Sequence, residues 1–130
     1  MKTKLFGWAL LFLVMGAAIP LSAEQTEADQ FNTIKAKAEK GDAEAQYDLG
    51  VYYGNGQGVA KDEIEAVNWY RKAAEQNYVE AQYNLGFCYY NGQGVAQDYA
   101  EAAKWYRKAA EQNLAAAQTI WGPAIFWAEA

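Results

Sequence analysis

The sequence has no histidine, a single cysteine (Cys88) and a single serine (Ser22). The serine lies in the apolar N-terminal stretch. Everything beyond it lacks both a serine nucleophile and an imidazole base, which removes the usual hydrolase triads. Zinc sites built on histidine or on several thiolates are excluded as well, and one cysteine closes no internal disulfide. Cys88 is therefore either a small apolar core residue or a thiol available to a partner; burial is the expected state. Proline occurs only at Pro20 and Pro123, so the long stretch between them carries no proline helix breaker. Basic residues are fewer than acids, 11 against 16. Nucleic acid demands a clustered basic face and is not expected as a partner. No residue pattern calls for a cofactor.

The N-terminus reads as an export leader. Lys2 and Lys4 precede an apolar run of 15 residues from Leu5 to Ile19, followed by Pro20-Leu21-Ser22-Ala23. The run is short for a membrane span of about 20 residues. Cleavage is expected after Ala23, leaving residues 24–130 as one domain in the periplasm or, in a second reading, in the medium. Losing both leader lysines takes the formal charge from −5 to −7. An uncleaved leader would give the chain its one membrane contact.

The rest of the chain repeats at 36 residues. Residues 42–77 and 78–113 agree at 25 of 36 positions, including Trp69 to Asn77, which returns unchanged as Trp105 to Asn113. A period of this size marks stacked units, each unable to bury its apolar face alone. Each unit reads as two helices. The first covers about Ala43 to Tyr53 and about Val79 to Tyr90, with Ala45, Leu49 and Tyr52 or Tyr53 on one stripe. A glycine loop follows, Gly54 to Val59 and Tyr90 to Val95. The second helix opens at Asp62 or Asp98, three residues ahead of Glu65 or Glu101, the spacing of a capping box. Its apolar face is Ala66, Trp69, Tyr70 and Ala73, then Ala102, Trp105, Tyr106 and Ala109. Asn77 and Asn113 are expected to stop it. Residues about 27–40 fit a lone second helix as N-terminal cap. Residues 114–130 fit a partial repeat, interrupted at Pro123. The apolar Ile120-Trp121 and Ile125-Phe126-Trp127 there would either fold back as a cap or form a docking patch.

These residues resemble the Sel-one-like repeat family, relatives of the tetratricopeptide repeats. The resemblance rests on Ala-x-Ala-Gln-Tyr-x-Leu-Gly-x-x-Tyr, Gly-x-Gly-Val-x-x-Asp and Ala-x-x-Trp-Tyr-Arg-Lys-Ala-Ala, met twice. It implies an all-α solenoid of αα-hairpins, two full repeats with a half-repeat at each end. It implies first helices lining a concave face and a scaffold or adaptor that binds proteins or peptides. Exported bacterial members are linked to the cell envelope and to host interaction. A cysteine-rich branch is linked to β-lactams, but its paired cysteines are missing here.

The expected role is a non-catalytic interaction module of the envelope that holds a protein or peptide. A cell-wall or β-lactam-related hydrolase and a secreted host-interaction factor are the alternatives. Asp62, Glu63 and Glu65 sit close together, but capping and solvation account for them better than catalysis does. Gly54-x-Gly56-x-Gly58 lacks the ending of a phosphate loop and reads as a turn. Stacking residues should recur between copies and groove residues are free to diverge. On the first helices the diverging pairs are Asp48/Asn84, Val51/Phe87 and Tyr52/Cys88. Asp48, Tyr52, Asn84 and Phe87 are the expected partner contacts, beside Tyr47 and Tyr83.

Overall fold

The structure is a computed structural model describing residues 26–112. The leader, the stop at Asn113 and the partial repeat with Pro123 lie outside the described residues. Among those described, all regular structure is helical: α1 (26–39), α2 (Ala43–Asn55), α3 (Glu63–Glu75), α4 (Val79–Asn91) and α5 (Tyr99–Glu111). No described helix is long and apolar enough to cross a membrane. The two repeats are the hairpins α2–α3 and α4–α5, with α1 standing as a second helix ahead of them. α3 packs against both α2 and α4, and α4 against α5.

The helix ends follow from side-chain chemistry. Asp42 Oδ1 accepts the Ala45 N–H at 2.9 Å and starts α2. Asp62 Oδ1 accepts the N–H groups of Ile64 and Glu65, each at 3.0 Å. Asp98 does the same for Glu101. The capping box is only half used, however. The Asp62 N–H, which a capping-box glutamate would take, bonds to the Tyr53 carbonyl at 2.8 Å; Asp98 N–H bonds to Tyr89 at 2.9 Å. Each N-cap thus ties its helix to the end of the preceding one. α2 and α4 run slightly past the tyrosines expected to end them, to Asn55 and Asn91. They stop at Gly56 and Gly92, whose positive φ of 68° and 66° suits glycine. α3 stops as its asparagine foretold, with Asn77 at φ 63°.

Trp69 and Tyr70 of α3 face different neighbours in the stack, because neighbouring helix positions lie about 100° apart. Trp69 faces back into Phe31, Ala38, Ala45 and Leu49. Tyr70 faces forward into Ala81, Leu85 and Cys88, where Trp105 arrives from the next repeat. One dipeptide therefore seals both sides of its helix, and deleting either large ring costs about 3–5 kcal/mol.

A second tie is polar and buried. Gln46 Nε2 donates to the Ala38 carbonyl at the end of α1, at 3.1 Å, and Gln46 Oε1 accepts from Gln76 Nε2 at 2.7 Å. Gln82 repeats this between Ala74 and Gln112, at 3.2 and 2.9 Å. Each first-helix glutamine thus bridges the C-terminal ends of two second helices. Its satisfied amide fixes the register of the stack.

Candidate functional site

The end of α2, the first two turns of α3 and the middle of α4 enclose a cleft of about 200 Å³. Its lining follows helical spacing. Glu63, Ala66 and Tyr70 lie at i, i+3 and i+7 on α3, and Asn84, Phe87 and Cys88 at i, i+3 and i+4 on α4. Gly54 leaves its α2 edge open, because a Cβ there would find only Ala66 and the Tyr70 hydroxyl, both at 3.7 Å. Gln93 closes the far end and donates to Glu63 Oε1 at 3.1 Å. The loop comes this close because Gly94, at φ 67°, rests on the Glu63 carbonyl where a side chain would collide.

The cleft is polar at depth and apolar at its lip. Asn84 lies against the hydroxyls of Tyr47 and Tyr70. Burial raises both phenols, Tyr70 to about 12, and hydrogen bonding to Asn84 offsets part of the rise. Cys88 is buried, and its thiol is pushed up to about 11, first by burial and then by the charge of Glu63. At neutral pH it is a protonated, poorly nucleophilic wall. Phe87 is 43 % exposed, on the face of α4 that it shares with half-buried Tyr83 and Asn84. Glu63 is half-buried and carries one further partner, the Lys61 ammonium at 3.3 Å.

The second repeat differs at the same places. Tyr90 stands for Gly54 and Tyr99 for Glu63. Their rings meet edge to face with centroids 5.2 Å apart, and Gln97 Nε2 donates to the Tyr99 hydroxyl at 3.0 Å. The opening that Gly54 and Glu63 leave in the first repeat is spanned by an aromatic pair in the second.

Of the four residues expected to meet a partner, Asn84 and Phe87 share this cleft. Asp48 and Tyr52 lie elsewhere. Asp48 borders a small recess with Ile34, Lys37, Asp42 and Glu44, and its carboxyl is raised by burial, then by Glu44 and Asp42. Tyr52 borders a shallower hollow against α1, where its hydroxyl donates to Gln30 Oε1 at 3.4 Å and its ring meets Phe31. Tyr83 packs on Tyr106, and Tyr47 lies between Tyr70 and Tyr78. Sequence reading missed Gly54 and Glu63 as cleft residues. The signal was present, since both positions differ between copies and both change to tyrosine. It also missed Gln46 and Gln82, whose recurrence marked them as structural.

Comparison with known proteins is consistent with this architecture. The family description "Sel1 repeat" matches residues 43–78 and 79–114. Curated proteins give no match. Among solved structures, the chain is similar to a Sel1 repeat protein from Oxalobacter formigenes, with 42% identity and a TM-score of 0.68 over 69% of this chain and 37% of that one. It is similar to c5321, a protective antigen of uropathogenic Escherichia coli with an SLR fold, with 50% identity and a TM-score of 0.66 over 68% of this chain and 19% of that one. It is also similar to cysteine rich protein B of Helicobacter pylori, with 30% identity and a TM-score of 0.66 over 69% and 68% of the two chains. The first two relatives are much longer, and this chain spans about a third and a fifth of their lengths. Two matched repeats, their hairpin geometry and these neighbours place the chain in the Sel1 repeat family.

Proposed function

We propose that the chain is a non-catalytic interaction module of the bacterial cell envelope, holding a protein or peptide segment on the face formed by α2 and α4. Sel1 repeats are in general protein-interaction modules, and the envelope assignment rests on the leader read from Lys2 to Ala23. The observation that carries the binding face is the cleft between α2, α3 and α4. It combines an exposed aromatic, Phe87, with hydrogen-bonding groups at half-buried Asn84 and buried Tyr70. Such a mix suits one anchoring side chain of a partner, with polar groups fixing its orientation. Asp48 and Tyr52 extend the face along α2 toward α1.

Affinity capture from an envelope extract tests this reading. Phe87→Ala and Asp48→Arg are expected to weaken capture while leaving thermal unfolding within about 1 kcal/mol of the parent, since neither side chain is fully buried. Asn84→Ala is a poorer probe, because it also releases Tyr47 and Tyr70. Undiminished capture by both variants would remove this face from consideration.

A further inference from the structure

The cleft between α2, α3 and α4 has one charged side chain in its lining, Glu63, and no cation. The same bias extends over the helices that frame it. α2 and α4 together carry Glu44, Asp48 and Glu80 and not one lysine or arginine. The repeat cations are set on the other layer, with Arg71 and Lys72 on α3 and Lys104, Arg107 and Lys108 on α5. Three of them lie over tryptophan rings, Lys72 3.9 Å from the Trp69 centroid and Lys108 and Lys104 4.6 and 5.9 Å from that of Trp105, and Arg71 donates to the Tyr89 hydroxyl at 3.1 Å. Glu44, Asp48 and Glu80 all act on Tyr78, which stacks on Tyr47 at 5.3 Å. The first-helix face is therefore acidic and aromatic together.

We propose that the partner segment is basic, and that one of its lysine or arginine side chains enters the cleft to meet Glu63. This rests on the binding face proposed above and names its chemistry. Phe87 offers its ring at the lip, where a cation is attracted to the aromatic face. The alkyl stem lies along Phe87 and Cys88, so the apolar wall is used by the same residue. The Asn84 and Gln93 side chains supply oxygen acceptors for the remaining donors. Lys61 already pairs with Glu63 at 3.3 Å, but both side chains are substantially exposed, 61% and 39%. Such a surface pair is weak, and an incoming cation held from a second side displaces it readily. Glu44, Asp48 and Glu80 lie outside the cleft lining and add attraction only at longer range, which speeds encounter. The second repeat supplies an internal control, since Tyr90 and Tyr99 occupy the matching places without a carboxylate.

The test is a titration of the isotope-labelled full chain with three synthetic heptapeptides, followed by amide NMR shifts. One alternates glycine with arginine; the other two replace arginine with glutamine or glutamate. The arginine peptide is expected to shift Glu63, Asn84 and Phe87, and to bind about fivefold tighter than the glutamine peptide, the scale of one partly exposed ion pair. Glu63→Gln should erase that difference. The paired exchange Gly54→Tyr with Glu63→Tyr should close the cleft and abolish the shifts. It is expected to fold, because the second repeat holds the same pair, and its far-ultraviolet circular dichroism checks this. Equal binding of the glutamine peptide at the same residues would overturn the cationic assignment while keeping the face. Tighter binding of the glutamate peptide, or arginine-peptide shifts confined to other residues, would overturn it too. An absence of shifts at these residues with all three peptides would also overturn it, leaving the face itself to be judged by capture.

Discussion

The ring of Tyr70 lies across Gly50, so close that a Cβ on Gly50 would stand 2.6 Å from its Cδ1 and Cε1. Tyr106 covers Gly86 in the same way, at 2.8 Å. Glycine here gives up helix propensity so that the two helices of a hairpin can approach with an aromatic ring between them. Gly50→Ala would gain about 1 kcal/mol of propensity but must displace a packed ring, which costs about 1–3 kcal/mol. Net destabilisation is expected in urea unfolding. Gly54→Ala has free space and should stabilise by about 0.5–1 kcal/mol. If both substitutions moved stability the same way, the close approach at Gly50 would not be what selects glycine.

The buried glutamines give a second contrast. Gln82→Leu fills the same space but removes one of the Ala74 carbonyl's hydrogen bonds, at 3.2 Å, leaving it the Asn77 N–H at 3.0 Å, and gives up the Gln112 amide's bond at 2.9 Å, which water can replace. A loss of about 0.5–1.5 kcal/mol in unfolding free energy, read from urea titration, is expected. Unchanged stability would mean that the tie between second helices adds nothing.

These two cases show where sequence was a good guide. Recurrence at 36 residues and helical spacing located the hairpins, the starts at Asp62 and Asp98 and the Trp and Tyr faces, because short-range rules govern all of them; the Asp42 cap does not recur, since Tyr78 stands in its place, and it was missed. The cleft was only half legible. Asn84 and Phe87 were found on divergence along one helix. Glu63 and Gly54 were missed because the cleft is assembled by three helices, and which first-turn residue points inward depends on the angle between them. Asp48 and Tyr52 lie one turn apart on α2 yet border different hollows, since α1 fills the space beside them. The half-used capping box is of the same kind: the N–H that Glu65 was spaced to receive is taken by Tyr53, a partner outside the motif.

Asp48 offers a small, signed prediction. Its carboxyl is raised by burial and by Glu44 and Asp42, so its charge is unfavourable in the folded chain. Asp48→Asn, the residue found at the same place in the second repeat, should stabilise by no more than about 0.5 kcal/mol at neutral pH, allowing for solvent screening. The gain should vanish as pH falls through the carboxyl's titration. Differential scanning calorimetry at pH 7 and pH 3 checks both statements.

Alkali should unfold the protein for a traceable reason. The Cys88 thiol is pushed from 9.0 to about 11, chiefly by burial, and Tyr70 from 10.0 to about 12, again chiefly by burial. In both, the fold holds the protonated form, so the unfolded chain releases its protons first. Stability is full below the unfolded values and falls as pH rises through the folded ones. The urea midpoint is expected to be flat from pH 7 to pH 9 and to decline above it. Cys88 should react with a thiol reagent at pH 8 far more slowly in the native chain than in urea. Fast native labelling would contradict the burial of Cys88.

Site-resolved photocrosslinking tests the central claim, that the α2–α4 face is where a partner binds. A photoreactive phenylalanine at position 87, at the lip of the cleft, is compared with one at position 108 on the opposite helix layer, each chain irradiated in envelope extract. A discrete protein adduct is expected from position 87, lost when the arginine heptapeptide is added in excess, and none from position 108. Adducts arising from position 108 alone would contradict it.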